Sequence, residues 1–303
     1  MTAEHPRHTP YDGSTKPFAI GLKPLDLTRW FEIDNYLDVY LAEKDRLYAT
    51  IPESVFAEEP DTRDAQREVL ELVEAHLATH FPALADRRTA GANLPPLKRA
   101  SLLVQDDLVL MRKGDDGWRL AAAALCFPAS WSLAEKFGKP LQDIHTPVPG
   151  FGPGTRTADI INRIFDNLPV EQPVERHNWS LQVDGALYKP LSDIARLERA
   201  AQRPERFTDA EVAARAFIRV ERQTLRKLPR AGDILFTIRT YLDPLGALRR
   251  HPGRARIASS FAGQLDALND AQLGYKGLGG DRDRLVSALR HIASADGPAQ
   301  PPS

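Results

Sequence analysis

Residues 216–242 read AFIRVERQTLRKLPRAGDILFTIRTYL. Two runs flank the turn residues "PRAGD", and each run alternates in side-chain type. In the first, Ile218, Val220 and Arg222 share one parity against Phe217, Arg219 and Glu221. In the second, Ile234, Phe236 and Ile238 stand against Leu235, Thr237 and Arg239. Alternate residues of a strand point to opposite faces. The spacing therefore predicts two strands joined by a short turn, with the parity of Ile218, Val220 and Arg222 facing a pocket. Thr208 and Glu211 have capping-box spacing, so a helical start is expected to become extended after about Phe217.

Further strand signals lie upstream. "SLLVQDDLVLM" (101–111) is two apolar runs around Gln105-Asp106-Asp107, a hairpin pattern, and "GDDGW" (114–118) marks a second turn. "WRLAAAALCFP" continues as a strand ended by Pro128. "ASWSLAEKFG" reads as a helix capped by Ser130 and closed by Gly138. In "TADIINRIFDNL" the residues Ile160, Ile161, Ile164, Phe165 and Leu168 recur at helical spacing. "NWSLQVDGALY" holds Asp184-Gly185 between apolar flanks, a hairpin cue. Two strands, helices, then about three mostly antiparallel strands make an α+β core over 98–243. Residues 1–97 form an N-terminal extension with an amphipathic helix at 64–81, where Val69, Leu70, Val73 and Leu77 share a face. Residues 244–303 form a C-terminal extension of two amphipathic helices around the glycine-rich "GYKGLGG" (274–280).

Composition excludes several classes. Forty basic residues balance 41 acidic ones, without the basic excess of a nucleic-acid binder. No apolar run reaches the ~18 residues of a membrane span, and the first 20 residues lack a signal peptide's apolar region. The expectation is a soluble, cytoplasmic protein. Cys126 is the single cysteine, which excludes an intrachain disulfide, a four-cysteine zinc site and an all-cysteine iron–sulfur cluster. Its apolar setting makes it core. No G-x-S-x-G elbow or phosphate loop is present. His76 and His80 stand four residues apart, but without the glutamate of a HExxH site.

The remaining candidates are His145, in "IHTPVPG" (144–150), His177, the tryptophans Trp131 and Trp179, and the strand arginines Arg176, Arg219, Arg222 and Arg239. One axial histidine, an apolar pocket and cations for two carboxylate tails are all that a haem requires of a protein. The same residues also read as a loop histidine, core tryptophans and surface ion pairs.

The run "LVQDDLVLMRK…WRLAAAALCFPASWSLAEKFGKPLQDIHTPVPG" resembles the haem-dependent oxidative N-demethylases, related to the haem subunit of dimethylamine monooxygenase. "VERHNWSL", "RVERQTLRKLP" and "ILFTIRTYLDPL" resemble further blocks of that family in the same order, over roughly residues 20 to 270. The resemblance implies a PAS-like antiparallel sheet with helices across one face. It implies a monooxygenase that removes a methyl group from a secondary amine with O2 and releases formaldehyde. Haem b would be held non-covalently, since no C-x-x-C-H motif is present. His145 matches the histidine of the family's IHxPVPG block and is the expected iron ligand, with His177 the next candidate. Arg176, Arg222 and Arg239 are expected to hold the haem propionates, and Trp131 and Trp179 to wall the substrate pocket. Electrons would come from a separate reductase, flavin and iron–sulfur dependent, because this chain has neither the cysteines nor a nucleotide fingerprint. A homo-oligomer is expected. Two other readings stay open: a non-catalytic PAS-type haem sensor, and a structural protein that lost the cofactor.

Overall fold

The alternating stretch 216–242 forms the centre of the sheet. In the computed structural model, which describes residues 5–84, 93–208 and 211–295, seven strands make one sheet. They are β1 (Lys23–Pro24), β2 (Phe56–Glu58), β3 (Asp107–Gly114), β4 (Gly117–Ala124), β5 (Val174–Gln182), β6 (Phe217–Lys227) and β7 (Ile234–Pro244). Their order is β1-β5-β6-β7-β3-β4-β2, and every pairing is antiparallel. The protein is therefore α+β, as the order of sequence signals implies. β6 and β7 pair without interruption from Phe217↔Pro244 to Lys227↔Ile234. Their turn closes with the Leu228 N–H on the Asp233 carbonyl at 2.8 Å, and Gly232 supplies a φ of +74°.

One face of this sheet is covered by helices from both ends of the chain. Helix Arg63–His80 and helix Pro96–Ser101 pack Val69, Val73 and Leu97 onto Leu108, Leu110 and Leu235. Helices Arg254–Asp266 and Arg282–Ser294 pack Phe261 and Leu289 onto Ile218, Val220 and Tyr241. The opposite face carries Leu225, Ile238, Val109 and Met111 and is roofed by helix Arg156–Asn167 with the turns before it. A register shift between Leu110 and Met111 skips Ala121 on β4, so Leu120 and Ala123, three residues apart, reach the same face. Among the described residues no helix is long and apolar enough to cross a membrane.

Several local expectations are corrected. Gln105-Asp106-Asp107 is not a hairpin turn: helix Pro96–Ser101 precedes it, and β3 starts at Asp107. The real β3–β4 turn is "GDDG". Asp184-Gly185 does not join two paired strands, because β5 pairs with β1 and β6 instead. Ser130 caps no helix; it sits at φ +61°, and the short helix there runs Leu133–Lys136. The parity of β6 is also reversed: Ile218, Val220 and Arg222 face the C- and N-terminal helices, not the roofed side.

Asp107 owes its burial to hydrogen bonds. Asp107 is fully buried and accepts the backbone N–H groups of Cys126 and Phe127, each at 2.8 Å. This ties the end of β4 to the start of β3, where the chain leaves the sheet with two donors that no strand can satisfy. Lys44, from helix Leu37–Thr50, caps the carbonyls of Ser101, Val104 and Asp106 nearby. Asp107→Ala leaves two buried N–H groups unpaired and is expected to lower the unfolding free energy by about 2–4 kcal/mol. Urea denaturation checks this, and a loss near zero would show the contact to be dispensable.

Candidate functional site

Between the roofed face and its covering segments lies a cavity of about 650 Å³. That is within the range of small-molecule and cofactor sites. Its floor is the sheet, through alternating residues of β5 (Arg176, Asn178, Ser180) and of β6 (Glu221, Gln223, Leu225). Val109, Met111, Leu120 and Ile238 make that floor apolar on the β3–β7 side. Phe18, Ile20 and Leu22 close it from the N-terminal segment, and Tyr275 and Lys276 from the end of helix Asp270–Lys276.

His145 lines this cavity. The chain places it with a succession of turns that Pro147 and Pro149 keep from becoming a helix. Its N–H closes the short helix Leu141–Ile144 on the Leu141 carbonyl at 3.1 Å, and its own carbonyl accepts the Val148 N–H at 2.8 Å. Phe151 follows, with its ring 6.2 Å from the imidazole. Thr155 then caps helix Arg156–Asn167 through its hydroxyl on the Ala158 N–H. Among the described residues the imidazole has no hydrogen-bond partner. Burial, then the charges of Arg176 and Lys136, push its pKa down to about 4. At neutral pH it is an uncharged imidazole with free lone-pair capacity, the form that binds a metal.

The charged lining is strongly cationic. Arg176, Arg196, Arg199, Arg206, Lys136 and Lys276 border the cavity against the carboxylates of Asp193 and Glu221. Among the described residues Arg176 forms no ion pair, and its Nε is buried without a partner. Burial lowers its pKa, while Glu221 opposes that shift. Lys276 donates to the Trp179 carbonyl at 2.6 Å and lies 4.2 Å from the Trp179 ring; burial, then Arg176 against Glu221, push its pKa down to about 7.

The predicted residues divide between the two faces. Trp131, His145 and Arg176 line the cavity together. His177 and Trp179, one and three residues beyond Arg176 on β5, point to the other face. His177 packs its ring 4.7 Å from His8, and its Nε2 is buried without a partner. Trp179 is buried against Phe261 and donates to Gln264. Arg222 and Arg239 are also on that side. Arg222 binds Glu175 and the carbonyls of Arg29 and Trp30. Arg239 binds Asp34 and the Thr240 carbonyl between the rings of Tyr40 and Tyr241. Both serve the attachment of residues 29–40 to the sheet and have no contact with the cavity. His76 is likewise structural, wedged between Trp30, Phe31 and His80. Among the described residues no group of three or more His, Cys, Asp or Glu is arranged to hold a metal ion.

Sequence reasoning missed Glu221, Tyr275, Lys276 and the arginines 196, 199 and 206. Glu221 was readable only from the correct parity of β6. The others come from helices whose packing partners are distant in sequence. An unpaired buried guanidinium is a cost that the fold carries. Arg176→Met is therefore expected to raise the unfolding free energy of the ligand-free protein by about 1–2 kcal/mol; urea denaturation giving a loss of stability would show that Arg176 supports the fold.

The family model described as haem-dependent oxidative N-demethylase, alpha subunit-like, matches residues 21–286. The match spans all seven strands, His145 and the cavity lining apart from Phe18 and Ile20. On this evidence the chain belongs to the haem-dependent oxidative N-demethylase, alpha subunit-like family.

Proposed function

We propose that the cavity is the haem site of an N-demethylating monooxygenase acting on a dialkylamine, in which His145 would ligate the iron. One observation carries this: a neutral, unpartnered imidazole faces an apolar cavity of about 650 Å³ whose charged border is mostly cationic. The fit to haem b can be judged from the residues present. Haem needs one imidazole, a flat apolar slot and cations for two carboxylates. Here the slot is lined by Val109, Met111, Leu120 and Ile161, and the buried Nε of Arg176 lacks the acceptor that a haem carboxylate would provide. Of the three arginines expected to hold propionates, Arg176 alone keeps that role in this proposal.

When bound, haem supplies activation of O2 for oxidation of a methyl group next to nitrogen. The overall stoichiometry is dialkylamine plus O2, two electrons and two protons, giving the demethylated amine, formaldehyde and water. The two electrons require a donor outside the chain; a separate reductase using flavin and iron–sulfur centres meets that need. The protein's own part is to select the reactive form of the amine. An ammonium has no lone pair to stabilise positive charge developing at carbon. Burying it in a dry pocket is costly, and the cationic groups of the lining, which outnumber the carboxylates of Asp193 and Glu221, repel it further. The neutral amine is admitted, with Trp131 and Phe236 as aromatic walls. Trp179, packed on the other face, has no part in this.

Two experiments test the reading. His145→Gly is expected to lose the Soret band of the haem-reconstituted protein, and added imidazole to restore it by entering the vacated space; retention of an unchanged ferrous spectrum would reject His145 as the ligand. With a competent reductant, kcat/KM for dimethylamine, followed by formaldehyde release, is expected to rise about tenfold per pH unit below the amine's own pKa. A flat profile would remove the neutral-amine mechanism, and haem binding with no formaldehyde from any dialkylamine would favour a sensor.

A further inference from the structure

The glycine-rich stretch "GYKGLGG" lies against helix Asp193–Gln202, and the two build a second cationic point on the cavity wall. Arg199 projects from that helix over Gly277. A side chain at Gly277 would place its Cβ 2.5 Å from Arg199 Nε and 2.6 Å from Cζ. Gly277 also stands at φ +65°, ending helix Asp270–Lys276 with the Leu278 N–H on the Leu273 carbonyl at 2.9 Å. Glycine is thus required twice, by the backbone and by the guanidinium lying on it.

The bonds that Arg199 makes are weak ones. Its Nη atoms reach Ser130 Oγ at 3.4 Å and the Tyr275 carbonyl at 3.3 Å, and its Nε is buried with no partner. Arg206 is held differently. Buried Asp281 takes its Nε at 2.7 Å and its backbone N–H at 2.8 Å, which fixes the guanidinium and leaves Nη2 buried and unpartnered. Burial, then Arg206 and Arg196, lower the Arg199 pKa, so these cations lie close enough to repel one another. Arg196, beside them, is already paired with Asp193 at 2.7 Å. Ser130, whose hydroxyl faces Arg199, sits in the left-handed region at φ +61°, a strained conformation of the kind found at ligand sites.

We infer that Arg199 and Arg206 together grip one carboxylate of the cavity's ligand, a second anchor apart from Arg176. This rests on the haem reading of the cavity. Two guanidiniums with four unsatisfied or weakly satisfied donor nitrogens suit a carboxylate, whose two oxygens accept several charge-assisted bonds. The ligand class is therefore an apolar, flat molecule with two acidic tails, one for each cationic point.

The test compares hemin with hemin dimethyl ester, which has the same ring and iron and no ionised tails. Both are titrated by Soret absorbance into the full-length wild-type protein and into Arg199→Gln, Arg206→Gln and the double variant. Arg199→Lys, which keeps the stem and the charge, guards against a variant that fails to fold. The wild type is expected to prefer hemin over the ester by at least about tenfold. The double variant should lose about tenfold of that preference while binding the ester as the wild type does, with Arg199→Lys in between. Equal weakening of hemin and ester in the variants would mean that the arginines only support the fold, and overturns the inference. An unchanged preference in the double variant also overturns it, assigning both carboxylates elsewhere. Failure of wild-type protein to bind either compound would remove the haem reading itself, and this inference with it.

Discussion

The pairing of β6 with β7 decides which chemistry faces the cavity. The two strands run in unbroken register from Phe217↔Pro244 to Lys227↔Ile234, and period two then sends Glu221, Gln223 and Leu225 to one side. Arg222 and Thr224 go to the other, where Thr224 and Thr237 share a hydrogen bond at 2.7 Å. A slip of one residue would exchange these sets. It would put an arginine that holds Glu175 and two carbonyls into the cavity and bury Glu221 under the helices. β5 pairs with β6 in the same way, so Arg176 is locked to the cavity side and His177 to the other by a single alternation. The fold thus separates two kinds of buried charge by strand parity alone.

On the helix-covered face the arginines are paired with carboxylates, although the Nε of Arg239 is buried without a hydrogen-bond partner. Arg222 and Arg239 each have a carboxylate and backbone carbonyls, and the gain is structural: residues 29–40 are fastened to the sheet. On the cavity face Arg176, Arg199 and Arg206 retain buried N–H groups with nothing to bond. Desolvating a cation without its partner opposes folding, and sites that bind charged ligands characteristically carry such costs. Arginine serves on both faces, ion-paired in Arg222 and Arg239 and, among the described residues, without a carboxylate in Arg176 and Arg199, so residue type alone does not separate scaffold from cavity wall.

The position of the N-terminal segment follows from the same sheet. Tyr11 stacks on Phe261 at 4.2 Å on the helix-covered side, while Phe18, Ile20 and Leu22 line the cavity and β1 pairs with β5 at the sheet edge. The segment therefore passes from one face to the other around β5. Phe18 takes φ +58° in doing so, with its ring 5.9 Å from Tyr275 and 5.1 Å from the Lys276 ammonium. A proline-punctuated stretch with no periodicity of its own becomes part of the cavity wall through contacts made by other elements.

Elements with a strong local period were legible in the sequence. Helices Arg63–His80, Arg156–Asn167, Arg254–Asp266 and Arg282–Ser294 fall where apolar residues recur at helical spacing, and β6 and β7 where they alternate. His145, Trp131 and Arg176 were legible as site candidates through the blocks around them, and all three line the cavity. What the sequence by itself left undecided is which of two alternating sets faces inward. Both sides of this sheet are buried, so the usual polar-out signal that assigns the faces is missing on β6. Turn residues misled for a related reason: Asp106, Asp107 and Asp184 are turn formers by propensity, but Asp107 is drawn into the core by the two N–H groups it satisfies. Arg199, Arg206 and Lys276 could be placed only by tertiary structure, because their role depends on a loop closing against a helix about 75 residues away, and no local pattern encodes that contact.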